Sequence, residues 1–476
     1  LFYRVWKRRE SVKRTQVDLC GMKVKVISRS RDSVQAERKG DLAPTFRNVD
    51  PALHPFEKAR EYTRALNATK LERVFAKPFV GALSGHMDGI YSMCKHPRVL
   101  SCLVSGAGDG EIRVWDLSTQ TCLWNIRQAH NGYVRGLCVS PSDDLLLSCG
   151  DDATIKLWNL NLSSHRGGPD ADKPTAIFTS ENPFMGIDHC FKGTTFATGG
   201  MDGVQVWDEV RAEPIQSYQW GADTVISVRY NPAETEVLAC TATDRSITLF
   251  DTKSKTPIRK MIMEMRANTL RWNPMEPFHF TVASEDHNLY SYDMRNLSRA
   301  TWMHVDHTSA VLDVDYSPTG TEFVSGSYDR SIRIWNSHEG RSREIYHTSR
   351  MQRVFTVAYS LDSKYVLSGS DDMNIRLWKS NASKRIQSLT PRERRSDRYT
   401  DKLKERYAHM PEIRRIARHR TLPKAVYRAK RIKEEIRQSE RRKRQNMRRN
   451  SKRGAVPVTP EKRRHVIKTF DGKDEV

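Results

Sequence analysis

Seven aromatic residues cut the middle of this 476-residue chain at nearly equal intervals: Trp115, Trp158, Trp207, Phe250, Tyr292, Trp335 and Trp378, with gaps of 43, 49, 43, 42, 43 and 43 residues. A fixed period of this size means one supersecondary unit repeated, each copy too small to bury its own apolar face and so stacked on its neighbours. Asp109, Asp152, Asp244, Asp286, Asp329 and Asp372 each stand six residues before the aromatic; the third repeat departs, with Asp202 five before Trp207. Within a repeat the chain reads as four short strands. In the last one, Val354 to Tyr359 is a strand, residues 361–364 a polar turn, Tyr365 to Gly369 a second strand, and residues 371–374 a turn into Ile375-Arg376-Leu377-Trp378. Apolar and polar residues alternate in that last run, as a strand with one packed face requires. The 49-residue gap holds the polar loop SSHRGGPDAD at 163–172. The expected fold is all-β: a seven-bladed β-propeller, which leaves only short, protected strand edges.

A recurring polar set sharpens this reading to WD repeats. His86, Ser105, Asp109 and Trp115 stand where such repeats place a hydrogen-bonded tetrad, as do His130, Ser148, Asp152 and Trp158, and His307, Ser325, Asp329 and Trp335. Asp in a turn accepts from the His ring, which reaches a hydroxyl and then the indole N–H; buried polar groups need such partners. The seventh repeat keeps Ser368, Asp372 and Trp378, with His347 less well spaced, and repeats three to five lack most of the set. His, Ser and Asp also suggest a catalytic triad. A nucleophile is single and lies in a pocket, however, whereas this constellation recurs at a fixed period. There is no GxSxG, GxxxxGK[ST] or HExxH motif. No catalytic residue, metal, cofactor or small-molecule substrate is expected.

Charge is unevenly distributed. Residues 1–80 hold 19 Lys/Arg against 9 Asp/Glu, residues 81–390 hold 31 against 36, and residues 391–476 hold 30 against 12, for a total of +23. A near-neutral body with two cationic ends points to a polyanionic partner met by the ends. No run approaches the roughly 18 apolar residues of a membrane span, the first residues lack the apolar core of a secretory signal, and the eight scattered cysteines form no CxxC or zinc spacing. A reduced, cytosolic or nuclear protein without a membrane partner is expected. Met22 is the first methionine, and residues 1–21 are read as an upstream extension foreign to the native protein.

The expected organisation is therefore a basic N-terminal segment over 22–70, the propeller over 71–390 and a basic C-terminal domain over 391–476. The stretch Arg47 to Phe56 mixes proline, aromatic and apolar residues, which suits docking on the propeller or binding a partner better than disorder. Two segments compete to close the last blade: residues 72–83, and Arg385 to Leu389. In the C-terminal domain, Arg392 to Tyr407 reads as helical. Ile413, Ile416 and Ala417 share a helical face flanked by Arg414, Arg415 and Arg418, with Arg420 and Lys424 following. A long cationic helix over 425–450 carries a narrow stripe of Val426, Ala429, Ile432 and Ile436, and Glu440 and Arg444 stand at pairing distance in sequence. Three readings fit this segment: a solvated tail, a nuclear import signal at Arg441-Arg442-Lys443-Arg444, or an arginine-rich RNA-binding segment that folds on its target. Arginine pairs with phosphates bidentately and stacks on bases, so Arg414, Arg415, Arg418, Arg420, Lys424, Arg441, Arg442, Lys443 and Arg444 are the candidate RNA contacts.

These motifs together resemble one family. PEIRRIARHRTLPKAVY (Pro411 to Tyr427) after a seven-bladed WD-repeat body is similar to the WD-repeat and SOF-domain family, as are Asp50 to Phe79, RWNPMEPF (Arg271 to Phe278) and DHTSAVLDVDYSPTG (Asp306 to Gly320). The resemblance runs from Met22 to the C-terminus. It implies a protein of the nucleus and nucleolus, a scaffold of the small-subunit processome that serves processing of precursor ribosomal RNA toward the 18S species. Its partners would be precursor ribosomal RNA, a small nucleolar ribonucleoprotein and other processome proteins, with the tails ordering only inside the particle. The family is also linked to substrate reception for cullin–RING ubiquitin ligases through a W/Y-D-x-R motif. Tyr292-Asp293-Met294-Arg295 fits it, and Phe250-Asp251-Thr252-Lys253 departs, with Lys where Arg is wanted. An aromatic-Asp pair ends these strands in any case, so Asp293 also reads as a turn-capping carboxylate and Arg295 as a solvated side chain.

Overall fold

A computed structural model describes residues 50–141, 144–160, 173–220, 223–254, 257–452 and 454–471. Residues 1–21, most of the expected N-terminal segment and the 163–172 loop lie outside these. The described residues form two compact units, one from those up to Leu71 together with Gln387–Ala417, the other from those in Glu72–Ile386 and from Arg418 on.

The larger unit is a seven-bladed propeller of antiparallel sheets. Blade 1 spans 90–126, blade 2 134–179, blade 3 184–218, blade 4 225–263, blade 5 267–304, blade 6 311–346 and blade 7 354–379. The first strands of successive blades touch one another around the axis, and the ring closes from Val354–Tyr359 back to Ile90–Lys95. The rows of side chains that read as alternating in sequence are buried between blades: Trp115, Trp158, Trp207, Trp335 and Trp378 are 0–2% exposed. Every first strand carries a register irregularity, and the residue after it is small or short: Ser92, Gly136, Gly186, Ser227, Thr269, Asp313 or Thr356. The reason is close approach of neighbouring blades. A Cβ on Gly186 would lie 2.9 Å from the Ile226 carbonyl oxygen, inside contact distance. Hydrogen bonds then stitch blade to blade: Tyr230 N–H donates to Asp188 at 2.7 Å and Tyr359 N–H to Asp315 at 2.7 Å.

The closing strand is Phe79–Ser84, which pairs antiparallel with Asn374–Lys379. Residues 385–389 form no strand. Only the second half of the 72–83 candidate is extended, because its first half completes the helix α1, Glu57–Val74. Blade 4 has an unexpected fifth strand. Val466–Asp471, at the far end of the cationic extension, pairs antiparallel with Pro257–Met263 and covers that edge. This corrects the expectation that the C-terminal tail orders only in a particle: part of it is built into the propeller.

The smaller unit is helical. Its C-terminal part is α2 (Pro391–Tyr407), opened by a capping box at Thr390 and Glu393, and most of α3 (Pro411–Arg418). Ala65 of α1 packs with Leu403, Tyr407 and Ile413. Glu61 accepts from Arg406 at 2.8 Å and from the Tyr407 hydroxyl at 3.0 Å, and Tyr62 donates to Glu412 at 2.8 Å. Ala65, with Tyr62 and Leu66 beside it, thus packs on the C-terminal helices, a pairing the linear pattern does not announce, while Leu53 and Phe56 stay exposed.

Candidate functional site

The polar sets divide by blade. In blade 2, His130 Nδ1 lies 3.0 Å from Asp152, its Nε2 2.7 Å from Ser148 Oγ, and Trp158 donates to the same hydroxyl at 2.9 Å. Blade 6 repeats this with His307, Asp329 (2.9 Å), Ser325 (2.7 Å) and Trp335 (2.8 Å). In blade 1, His86 and Trp115 converge on Ser105 at 2.7 and 2.8 Å, but Asp109 is not the acid. Glu111 takes its place at 3.0 Å, and Asp109 instead accepts the Glu111 N–H within the turn. The longer side chain reaches the ring from two residues on, which the six-residue spacing of the Asp does not reveal. In blade 7, Ser368 holds Trp378 at 2.9 Å while Asp372 pairs with Arg376, and His347 stands apart against the Thr421 carbonyl. Burial drives the imidazoles of His86, His130 and His307 below the ordinary value against the pull of their acids. These groups are enclosed between strands and serve as the frame of the blades.

The cations of the extension fall into two classes. Arg420 is turned inward: its guanidinium donates to the Arg343 carbonyl at 2.7 Å and lies 3.4 Å from Glu344. That corrects its candidacy as an RNA contact, since both the charge and the donors are used within the chain. Arg441 pairs with Glu461 at 2.7 Å and Arg444 with Glu440 at 3.2 Å. Arg414, Arg415, Arg418, Lys424, Arg442 and Lys443 are exposed and make no ion pair among the described residues. The long helix α4, Lys424–Arg449, is fastened by its first half. Val426 is buried, Lys430 meets Asp306 at 3.0 Å, and Lys433 donates to the His307 carbonyl at 2.9 Å. Burial raises the Asp306 carboxyl, and Arg333 and Lys430 more than reverse this. Burial brings the Lys433 ammonium down to about 8. Of the apolar stripe only Val426 is enclosed; Ile432 and Ile436 remain 58% and 54% exposed.

The tetrapeptide at 292–295 is split in the same way. Tyr292 is fully buried and belongs to the blade core, which removes it as a contact for any partner. Asp293 receives the Arg295 backbone N–H at 3.0 Å and its guanidinium at 2.9 Å, as a capping carboxylate does. The Arg295 guanidinium lies 4.5 Å over the Phe278 ring with its side chain 62% exposed.

Comparison with known proteins bears on both surfaces. A model of the Sof1-like domain matches residues 380–466, and WD domain, G-beta repeat models match 77–116, 120–159, 300–336 and 343–379. "DDB1- and CUL4-associated factor 13" of Xenopus tropicalis is 52% identical over 446 residues, covering 94% of this chain and 99% of that protein. The chain belongs to the Sof1-like WD-repeat family. The human protein of the same name is 50% identical over 446 residues, at 94% and 99% coverage. "Protein SOF1" of Saccharomyces cerevisiae is 47% identical over 468 residues, at 94% and 95% coverage. The Sof1-like match begins as the last blade ends and runs through α2, α3 and α4 to the first residue of the added strand in blade 4.

Proposed function

We propose that this chain is a non-enzymatic scaffold of the small-subunit processome, resident in the nucleolus and needed for maturation of 18S ribosomal RNA, with precursor ribosomal RNA and a small nucleolar ribonucleoprotein met by its C-terminal extension. One observation carries the reading. α4 is pinned to the propeller at its start, and the cations beyond the pinned half, Arg442 and Lys443 among them, face solvent without an internal acid. A helix held in this way presents charge to a phosphate backbone without losing the ordering entropy of a free tail. The likeness to yeast Protein SOF1 supports the same reading. Crosslinking of the chain to RNA in cells, with reads mapped, tests it: reads on precursor ribosomal RNA are expected, and their absence overturns the contact.

A second reading rests on a different surface. Relatives named DDB1- and CUL4-associated factor 13 support a role as substrate receptor of a cullin–RING ubiquitin ligase. The exposed Arg295 is the side chain of the 292–295 motif that an adaptor would reach. Adaptor capture that survives Arg295→Ala unchanged overturns this assignment.

A further inference from the structure

Between α4 and blade 5 lies a cavity of about 720 Å³ that neither the propeller frame nor the exposed cations use. Its α4 wall is apolar: Ala429, Ile432 and Ile436, the stripe left uncovered by the fold. Met303 and Val305 continue that wall from blade 5. The interior polar lining sets Asp286 against Lys433, whose ammonium is bonded to the His307 carbonyl, and leaves one acceptor open. Asn288 Oδ1 is buried without a hydrogen-bond partner, and its Nδ2 is already engaged with Asp286 at 3.3 Å. Beside it the His465 ring, 4% exposed and with neither nitrogen bonded, stacks on Tyr290 at 3.8 Å. Burial holds that imidazole near a pKa of about 4, so it is neutral. An orphaned acceptor calls for an N–H donor and rejects a carboxylate, and Lys433 with the arginines of the mouth disfavours a cationic donor, which leaves a neutral group.

The α4 side of the mouth has the opposite requirement. Arg437, Arg441 and Arg444 line it together with Arg464. The first three share Glu461 and Glu440 in exposed pairs, which are weak and exchangeable. Arg464 is exposed and has no ion pair among the described residues. A ligand that suits the whole cavity has a flat, donor-bearing body and an anionic linkage outside it. An acidic peptide satisfies the mouth and leaves the interior acceptor facing a carboxylate.

We propose that this cavity receives a single nucleotide of unpaired RNA, the base lying against Ile432 and Ile436 with its exocyclic amine on Asn288, and the flanking phosphates on Arg441, Arg444 and Arg464. This rests on the reading that the extension contacts RNA, and adds to it a base-reading element. Adenine, cytosine and guanine carry an exocyclic amine; uracil offers only its ring N3–H.

The full chain, titrated with short single-stranded RNAs of one base each and with an abasic strand of equal length at fixed salt, separates the two claims. Adenine, cytosine or guanine strands are expected to bind roughly tenfold more tightly than the abasic strand, with the uracil strand, which packs on the isoleucines but brings only a ring N–H, between them. Asn288→Ala and the independent, surface-exposed Ile436→Glu are expected to erase that difference while abasic binding persists. Arg442→Ala is expected to weaken every strand alike. Equal binding of base-bearing and abasic strands overturns the pocket and leaves charge-driven contact standing. No binding by any strand overturns both.

Discussion

In blade 6 the aromatic that closes the repeat is Trp335, and the residue ten before it, Ser325, accepts from its indole and meets the ring of His307. In blade 4 the same two places hold Phe250 and Cys240. Phe250 has no donor to offer, and burial pushes the Cys240 thiol up to about 12, so it stays neutral and packs as a small apolar group. Both blades have the same strand frame and near-total burial at these positions. One is specified by a closed hydrogen-bond chain, the other by apolar packing together with an added strand from the chain's far end. The frame therefore does not require the polar set. The set fixes a blade through buried hydrogen bonds, and losing one member strands the groups bonded to it.

The largest effect on stability is expected in acid. Blade 4 contains no histidine over 225–263, whereas His304 at the outer strand of blade 5 is fully buried against Ser291 and the Glu339 carbonyl. Burial lowers its pKa to about 4, below the ordinary 6.5. Between those values the unfolded chain binds the proton and the folded chain refuses it, so the contribution of His304 is flat above 6.5 and falls as pH drops through the window. The loss from this one group is on the order of 3 kcal/mol by pH 4. Denaturant midpoints across pH should show the slope, and His304→Gln should remove part of it; a slope untouched by that change speaks against the assignment.

Next in size is Ser325→Ala, which strands the Trp335 N–H and one His307 nitrogen in a closed interior and should cost about 2–3 kcal/mol. A loss near zero would mean that the network closes on itself without the hydroxyl. Thr469→Pro attacks the other solution. It removes an amide from the strand paired with Met261 in blade 4 and should cost about 1–2 kcal/mol. Hydrogen exchange should report it as lost protection confined to 257–263 and 466–471; protection retained there means the added strand does not support the blade. The smallest effect is Cys240→Ala, about 1 kcal/mol for one methylene-sized void. A cost as large as that of Ser325→Ala would erase the distinction between the two blades.

Linear spacing decided a great deal here because strand period and blade period are both local. The aromatic positions, the turn acids and the number of blades follow from residues within one repeat of each other, and the sheets form where those patterns place them. What escaped the pattern depended on side-chain reach or on partners far apart in sequence. Glu111 displaces Asp109 by reach rather than by spacing, and Arg420 is claimed by Glu344, 76 residues away in sequence. The strand Val466–Asp471 went unread in the sequence, and nothing local says which sheet edge it joins.

Sequence alone therefore determined the repeat, its count, the apolar and polar faces of each strand and the cationic character of the extension, since all of these depend on composition and short-range order. The tertiary structure alone decided which cations stay available, which blade receives the returning strand and where an apolar stripe is left uncovered. Those outcomes depend on which surfaces meet after closure. Charge and hydropathy are carried by a residue, but availability belongs to its surroundings.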